Sequence, residues 1–372
     1  MSDITVVLPF SLPPAELAPD LLRALTLPSL AMLLARAEPA RSAVGKAGGA
    51  RDENSAVADG FARALPHETW LARRFGLDEK GDRSSPAIAA MLMAAQKSAS
   101  APADGYWFVV SPVHFHVARD HLVLTDTRSL ALSENDAMDL FTAALPAFEE
   151  AGLMLRFGSA GSWFVRADAW RDMVTATADA ACGHNIDIWM PQGPSARAWR
   201  KLQNSVQMDW HAHPVNAARS NAGQQPVNSL WLWGGAQALP PPSRVPVAMA
   251  GFQGWFAGFT ALASSVVDAP DLAPLLVATE PHRLLLRAEL IGPALAGDWA
   301  EWLDRVRELE ITLFAPLLAA LRTGQIERLQ IILGHATELQ AWSVTRASLR
   351  RFWRTPSLTR LRSASSSPAN AA

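Results

Sequence analysis

Ile4-Thr-Val-Val-Leu8, closed by Pro9, is the stretch on which the fold turns. An unbroken run of apolar and β-branched residues, without polar alternation, reads as a strand buried on both faces, as in a parallel sheet. Near the other end of the chain Leu329-Gln-Ile-Ile-Leu333 has the same character, and His282–Leu286 precedes it. Helical spacing flanks these runs, at Leu21–Leu34 (interrupted by Pro28), Pro66–Phe75, Pro86–Ala95 and Trp299–Leu321. Ile4–Leu8, Leu284–Leu286 and Leu329–Leu333 are therefore expected as neighbours in one mainly parallel sheet.

The middle of the chain is different. Tyr106–Val110, His121–Leu124, Leu153–Phe157 and Ser162–Val165 read as short strands, the last two as a hairpin around Gly158-Ser-Ala-Gly161. Asn135–Phe148 and Pro194–His211 read as helices, the latter with Trp199, Leu202, Val206 and Trp210 along one side. Helix–strand alternation at both ends around a strand-rich middle predicts an α/β core with an inserted α+β domain. The boundaries read as 1–100 and 240–356 for the discontinuous core, 101–239 for the insert and 357–372 for a disordered Ser/Ala-rich tail.

Composition limits the functions available. The chain has 372 residues, 49% hydrophobic and 18% charged, with a formal net charge of −2. That suits a buried globular core and gives no global field for nucleic acid or acidic membrane, so neither is expected as a partner. Cys182 is the only cysteine, which rules out an intramolecular disulfide and a thiolate zinc cluster. No basic region precedes the first apolar run, so no signal peptide is read and a cytoplasmic location is expected. Val245–Val267 carries no charge and is long enough to cross a bilayer, but its Pro246, Gly251, Gly254 and Gly258 favour a buried strand, turn and helix.

The densest polar stretch runs from Met208-Asp-Trp-His-Ala-His-Pro-Val-Asn-Ala-Ala-Arg219 to Gly223-Gln-Gln-Pro-Val-Asn-Ser-Leu-Trp-Leu-Trp-Gly-Gly235. On a strand His211 and His213 would share a face suited to a metal, but no carboxylate stands at ligand spacing, and hydrogen-bonded structural histidines are the alternative. Asn216, Arg219 and Asn228 surround a turn. Arginine offers a planar fork for phosphate or carboxylate, and Gly234-Gly235 lets backbone N–H groups approach an anion. The competing reading is that these side chains bind the loop's own backbone. In Ser111-Pro-Val-His-Phe-His-Val-Ala-Arg-Asp120, His114 and His116 alternate with apolar residues, and Arg119 lies at the end. That face is either a cleft wall or an exposed sheet face. Arg346-Ala-Ser-Leu-Arg-Arg-Phe-Trp-Arg354 is basic with interleaved aromatics. It suits nucleic acid or anionic lipid, or else a solvated helix with Leu349, Phe352 and Trp353 packed inward.

Taken together, His211-x-His-Pro-Val-Asn216, Arg219, Pro226-Val-Asn-Ser-Leu-Trp-Leu-Trp-Gly-Gly235, Ser111-Pro-Val-His114 and Arg350-Arg-Phe-Trp-Arg354 resemble the RpfE-type bacterial regulatory proteins. Those are in turn similar to archaeal-type cofactor-independent phosphoglycerate mutases. The resemblance implies an alkaline-phosphatase-like core with an inserted substrate domain. It implies candidate ligand-binding residues His211, His213, Asn216, Arg219, Asn228, Gly234, Gly235, His114 and Arg119, facing a small phosphorylated or anionic ligand, with the Asn216, Arg219 and Asn228 side chains converging near Gly234. Trp233 stands where the mutases carry an arginine.

The mutase reaction needs two divalent metal ions and a phosphorylated serine. In that family the first strand ends in Asp-Gly, an Asp-x-x-Gly-His-x-Gly-Asp stretch precedes a long helix, and the last strand leads into Asp-His-Ser. Here Leu8 leads into Pro9-Phe10, only the final Gly297-Asp298 of the second motif remains, and Leu333 leads into Gly334-His335-Ala336. The resemblance with these departures implies a non-catalytic regulatory or binding protein without a cofactor. Two alternatives stand beside it. One is an active mutase or metal-dependent phosphohydrolase with Asp298 and His335 among two metal ions' ligands. The other is a nucleic-acid-binding regulator.

Overall fold

The first strand, β1 (Asp3–Leu8), lies inside a seven-stranded sheet, as its lack of alternation requires. The computed structural model describes residues 3–40, 62–96, 104–238, 244–267 and 272–362. The Gly- and Ala-rich stretch 41–60, whose composition predicts a loop, and residues 239–243 of the proline cluster 239–247, whose composition predicts a connector, lie outside the described residues.

Strand β2 (Glu38–Pro39) follows β1 in the chain. The middle region supplies β3 (Tyr106–Val113), β4 (Phe115–Val117), β5 (Leu122–Leu124), β6 (Met154–Ser159), β7 (Ser162–Arg166) and β8 (Ser229–Gln237). The last part supplies β9 (Val245–Ala250), β10 (Ala263–Val267), β11 (His282–Leu286), β12 (Arg328–Gly334) and β13 (Leu339–Thr345). The large sheet has the order β10-β9-β11-β1-β12-β13-β2. Its first five strands are parallel: Val6 pairs with Leu285 on one side and Ile331 on the other. The three expected neighbours are thus adjacent. β13 joins β12 antiparallel, and β2 joins β13 antiparallel, so the segment around Trp342 is an inner strand and not an edge.

A second, four-stranded sheet has the order β6-β7-β3-β8, all antiparallel, with β4 and β5 forming a separate hairpin. The chain is thus an α/β protein with one mixed, mainly parallel sheet and one antiparallel sheet. It divides into two compact units: Met1–Ala50, Arg244–Phe252 and Ala263–Ala372 in one, Arg51–Ser243 and Gln253–Leu262 in the other. In the second unit, helix Ala196–His211 buries Trp199, Leu202, Val206 and Trp210, and Trp210 meets Trp163 edge-to-face at 5.8 Å. Each such tryptophan buries a large apolar area.

The uncharged stretch 245–267 forms the parallel pair β9 and β10, separated by the 3₁₀ segment Gly254–Leu262, and not a strand followed by an α-helix. No helix among the described residues is long and apolar enough to cross a membrane.

Helix Pro28–Arg36 in the first unit is held at both ends. The Glu310 carboxylate accepts the Ser29 and Leu30 N–H groups at 2.6 and 3.1 Å, satisfying donors that a helix start leaves free. Glu310 begins a π-turn, Glu310–Phe314, inside the long helical stretch expected over Trp299–Leu321. At the other end, Arg354 donates to the Ala37 carbonyl oxygen and Arg360 to those of Leu34 and Ala37. This changes the reading of the C-terminal aromatics. The 3₁₀ turn Ser348–Arg350 is only three residues long, so no amphipathic helix forms. Phe352 and Trp353 are 84% and 68% exposed, whereas inward packing was expected. Of the expected tail, residues 357–362 are described: they form a turn whose Leu361 is buried. Residues 363–372 lie outside the described residues.

Candidate functional site

In an open parallel sheet, ligands gather at the carboxyl ends of the strands. At the end of β1 stand Pro9, which has no side-chain donor, and Phe10, in the left-handed region at φ 55°. A residue with a Cβ is strained there, and glycine is not. The neighbouring strand end is stitched to it. Ser11 Oγ donates to the Leu8 carbonyl oxygen at 2.7 Å and accepts the Gly334 N–H at 3.3 Å, while the Leu12 N–H donates to the Gly334 oxygen at 2.9 Å. A Cβ at Gly334 would lie 3.1 Å from the Pro9 Cα, which explains the glycine.

His335 turns into its own loop, where its Nδ1 lies 3.1 Å from Thr337 Oγ1. Burial lowers its pKa, with Glu338 and Glu16 opposing. Asp298 caps helix Trp299–Leu309, its Oδ1 accepting the Glu301 N–H at 2.9 Å. At the end of β11, Arg287 pairs with Glu289 at 2.5 Å. Among the described residues, no group of three or more His, Cys, Asp or Glu side chains is arranged to hold a metal ion.

The segment 211–235 is ordered by its own polar side chains. His211 ends one helix and His213 caps the next, Pro214–Asn221, with its Nδ1 accepting the Val215 N–H at 3.3 Å; neither lies on a strand. Asn216 is buried. Its Nδ2 donates to the Trp210 and Val227 oxygens at 2.9 and 2.8 Å, and its Oδ1 accepts the Val227 N–H at 2.8 Å. Arg219, also buried, donates to the Gln225 oxygen at 2.9 Å and the Leu130 oxygen at 2.5 Å. Asn228 bridges to Phe115 in both directions, at 2.7 and 2.9 Å, and His114 Nδ1 meets the Pro226 oxygen at 2.8 Å. Burial lowers the His114 pKa.

These four residues gather around the loop between helix Pro214–Asn221 and β8, and each of them binds backbone groups. Each such bond contributes about 1 kcal/mol. Gly234 and Gly235 are not with them. Six residues of extended chain, roughly 20 Å, separate Gly234 from Asn228. The Gly234 N–H donates to Ser85 Oγ at 2.8 Å, and a Cβ on Gly235 would strike the Phe108 ring at 2.5 Å. The expected convergence at Gly234 is thus replaced by a loop closed on itself. Arg119 is exposed in the β4–β5 turn, and His116 is exposed on β4. Trp233 is buried, with its Nε1 on Ser111 Oγ at 3.1 Å.

The second unit also holds a buried ionisable cluster that sequence reasoning missed. Helix Pro66–Phe75 begins with His67 and Glu68, both fully buried. Glu68 Oε2 accepts the Leu65 N–H and the Thr177 hydroxyl, each at 2.7 Å, while Oε1 has no hydrogen-bond partner. Beyond Thr177, Asp179 receives Arg128 in a two-pronged pair at 2.9 and 3.1 Å, and Arg128 Nε also reaches Asp126 at 3.1 Å. Burial, and then the nearby Asp179 charge, pushes the Glu68 carboxyl up to about 8. Burial holds His67 down to about 4. Burial also pushes the Cys182 thiol up to about 12, helped by Asp126 and Asp179, so it is no nucleophile at neutral pH. A signal was present: Glu68 stands three residues after Leu65, at the capping-box position behind Pro66. Its partners, 58 to 114 residues away in the chain, carried none.

No family model matches the chain. A segment of 52 residues, 14% of this chain, is 35% identical to the 2,3-bisphosphoglycerate-independent phosphoglycerate mutase of Methanosarcina mazei, of which it spans 13%. The PH0037 protein of Pyrococcus horikoshii superposes with a TM-score of 0.51 at 10% identity, over 92% of this chain and 87% of that one. A cofactor-independent phosphoglycerate mutase from Thermoplasma acidophilum gives a TM-score of 0.45 at 15% identity, over 97% and 94%. The chain is thus distantly related to the cofactor-independent phosphoglycerate mutases through a short segment, and shares the PH0037 fold over most of its length.

Proposed function

We propose that this protein is a non-catalytic regulatory or binding protein of the RpfE type, built on an alkaline-phosphatase-like, phosphoglycerate-mutase scaffold that has lost its metal chemistry. The observation that carries this is the state of the strand ends. A two-metal phosphoryl transfer needs several anionic oxygen or imidazole ligands around a nucleophile. Pro9 has none to offer, the Asp298 carboxylate caps a helix, and His335 is turned into its loop. The left-handed Phe10 supports the same reading: the backbone keeps a conformation suited to the glycine of the mutases' Asp-Gly, while both side chains have changed.

Mutase turnover of 3-phosphoglycerate, measured on metal-replete protein beside elemental analysis, tests this. The expected result is neither retained metal nor product. Turnover that disappears with chelator and with His335→Ala would overturn the proposal and establish an active enzyme.

A further inference from the structure

The six arginines from Arg346 to Arg362 are the only charged residues in the last 34 positions. The whole chain carries −2, so the first 338 residues carry −8 and this terminal stretch +6. Some of that charge is committed: Arg351 pairs with Glu38 at 2.5 Å, Arg354 and Arg360 bind carbonyl oxygens, and Arg360 also lies over the Trp342 ring at 4.2 Å. Arg346, Arg350 and Arg362 are exposed and make no ion pair among the described residues. Between Arg351 and Arg354 project Phe352 and Trp353, the two most exposed aromatic rings among the described residues, set edge-to-face at 5.4 Å and 81°.

We propose that the arginine-flanked Phe352–Trp353 pair is a docking point for the surface of an anionic phospholipid membrane. Tryptophan and phenylalanine partition into the headgroup boundary, and guanidinium forks match lipid phosphates. The perpendicular rings argue against single-stranded nucleic acid, because successive stacked bases need roughly parallel platforms. Membrane insertion sets no such condition. The segment lies on the surface and does not span, in keeping with the absence of a long apolar helix among the described residues.

Co-sedimentation of the full chain with vesicles tests this. Vesicles containing phosphatidylserine should pellet the protein, pure phosphatidylcholine vesicles should not, and added salt should release it. Arg350→Ala should weaken binding about fivefold. Phe352→Ser with Trp353→Ser should weaken it about tenfold or more, with the melting temperature unchanged because neither ring is packed. Equal affinity for the two vesicle types, or no binding to either, would overturn the proposal. So would a single-stranded oligonucleotide that binds in place of vesicles and is lost in the same variants.

Discussion

The strand ends of the parallel sheet and the buried cluster at the start of helix Pro66–Phe75 invert what each place usually holds. The first is where an open α/β sheet collects chemistry, and here β1 ends in proline, phenylalanine and a serine bonded to backbone, beside an arginine paired with a glutamate and a histidine turned into its loop. The second buries a histidine, a glutamate and an aspartate, the last paired with a partly exposed guanidinium. The lesson is that shifted pKa values alone do not mark an active site. The Glu68 and His67 shifts come from burial in a network that joins three short segments. At the strand ends, where a site belongs, burial lowers the His335 pKa.

The sharpest way to break this comparison is to remove Arg128. Asp179, 6% exposed, would keep its charge without its partner. Because the guanidinium is partly exposed, Arg128→Ala should cost about 3 kcal/mol, at the lower end of the range for a broken buried pair, read as a fall in the urea midpoint. A change below 0.5 kcal/mol would mean that water already screens the aspartate.

A somewhat smaller effect lies in pH. The folded state holds the Glu68 proton up to about pH 8, while the unfolded chain releases it near the ordinary glutamate value of 4.5. Stability from this group is therefore full below 4.5 and declines as pH rises to 8. His67 acts in the opposite sense: its folded value near 4 lies below the ordinary histidine value of 6.5, so its contribution grows with pH over that interval. Between about 4.5 and 6.5 the two slopes oppose each other. From 6.5 to 8 Glu68 acts alone, and stability should fall by about 2 kcal/mol. Glu68→Gln, which cannot ionise, should remove the alkaline decline. A decline that persists in this variant would assign it elsewhere.

The smallest effect sharpens the other side of the comparison. Asp298→Ala removes a helix cap and should cost about 1 kcal/mol. Elemental analysis of the purified variant should match that of the parent, since the carboxylate is read as a cap. Loss of a bound metal along with the cap would return Asp298 to the ligands of a working site.

What could be read from the residues follows the range of the interactions. β1 and β12 were legible because burial on both faces writes itself into five consecutive residues. The outer strands β13 and β2 were less so, since a two-residue strand such as Glu38–Pro39 carries no pattern. The Asn216–Arg219–Asn228 group reads from sequence as surrounding one turn, but whether its polar atoms face a ligand or the backbone depends on partners such as Leu130 and Phe115. Thr177 and Arg128 were passed over because a buried network is assembled from distant segments, each unremarkable alone. Phe352 and Trp353 were read as helix-packed because residue type was visible there, while the brevity of the turn was not.

The clamped helix Pro28–Arg36 and its neighbour β1 set an order of events in time. β1 needs β11 and β12, and the helix needs Glu310, Arg354 and Arg360, all made some 280 to 330 residues later. At roughly 5–20 residues per second, a ribosome exposes the first strand for about 15 to 60 s before its neighbours exist. The second unit, almost continuous in the chain, is complete at Leu262, 20 residues before β11 begins. For most of that interval β1 is an apolar strand without its partners, the kind of exposed edge that favours aggregation during synthesis.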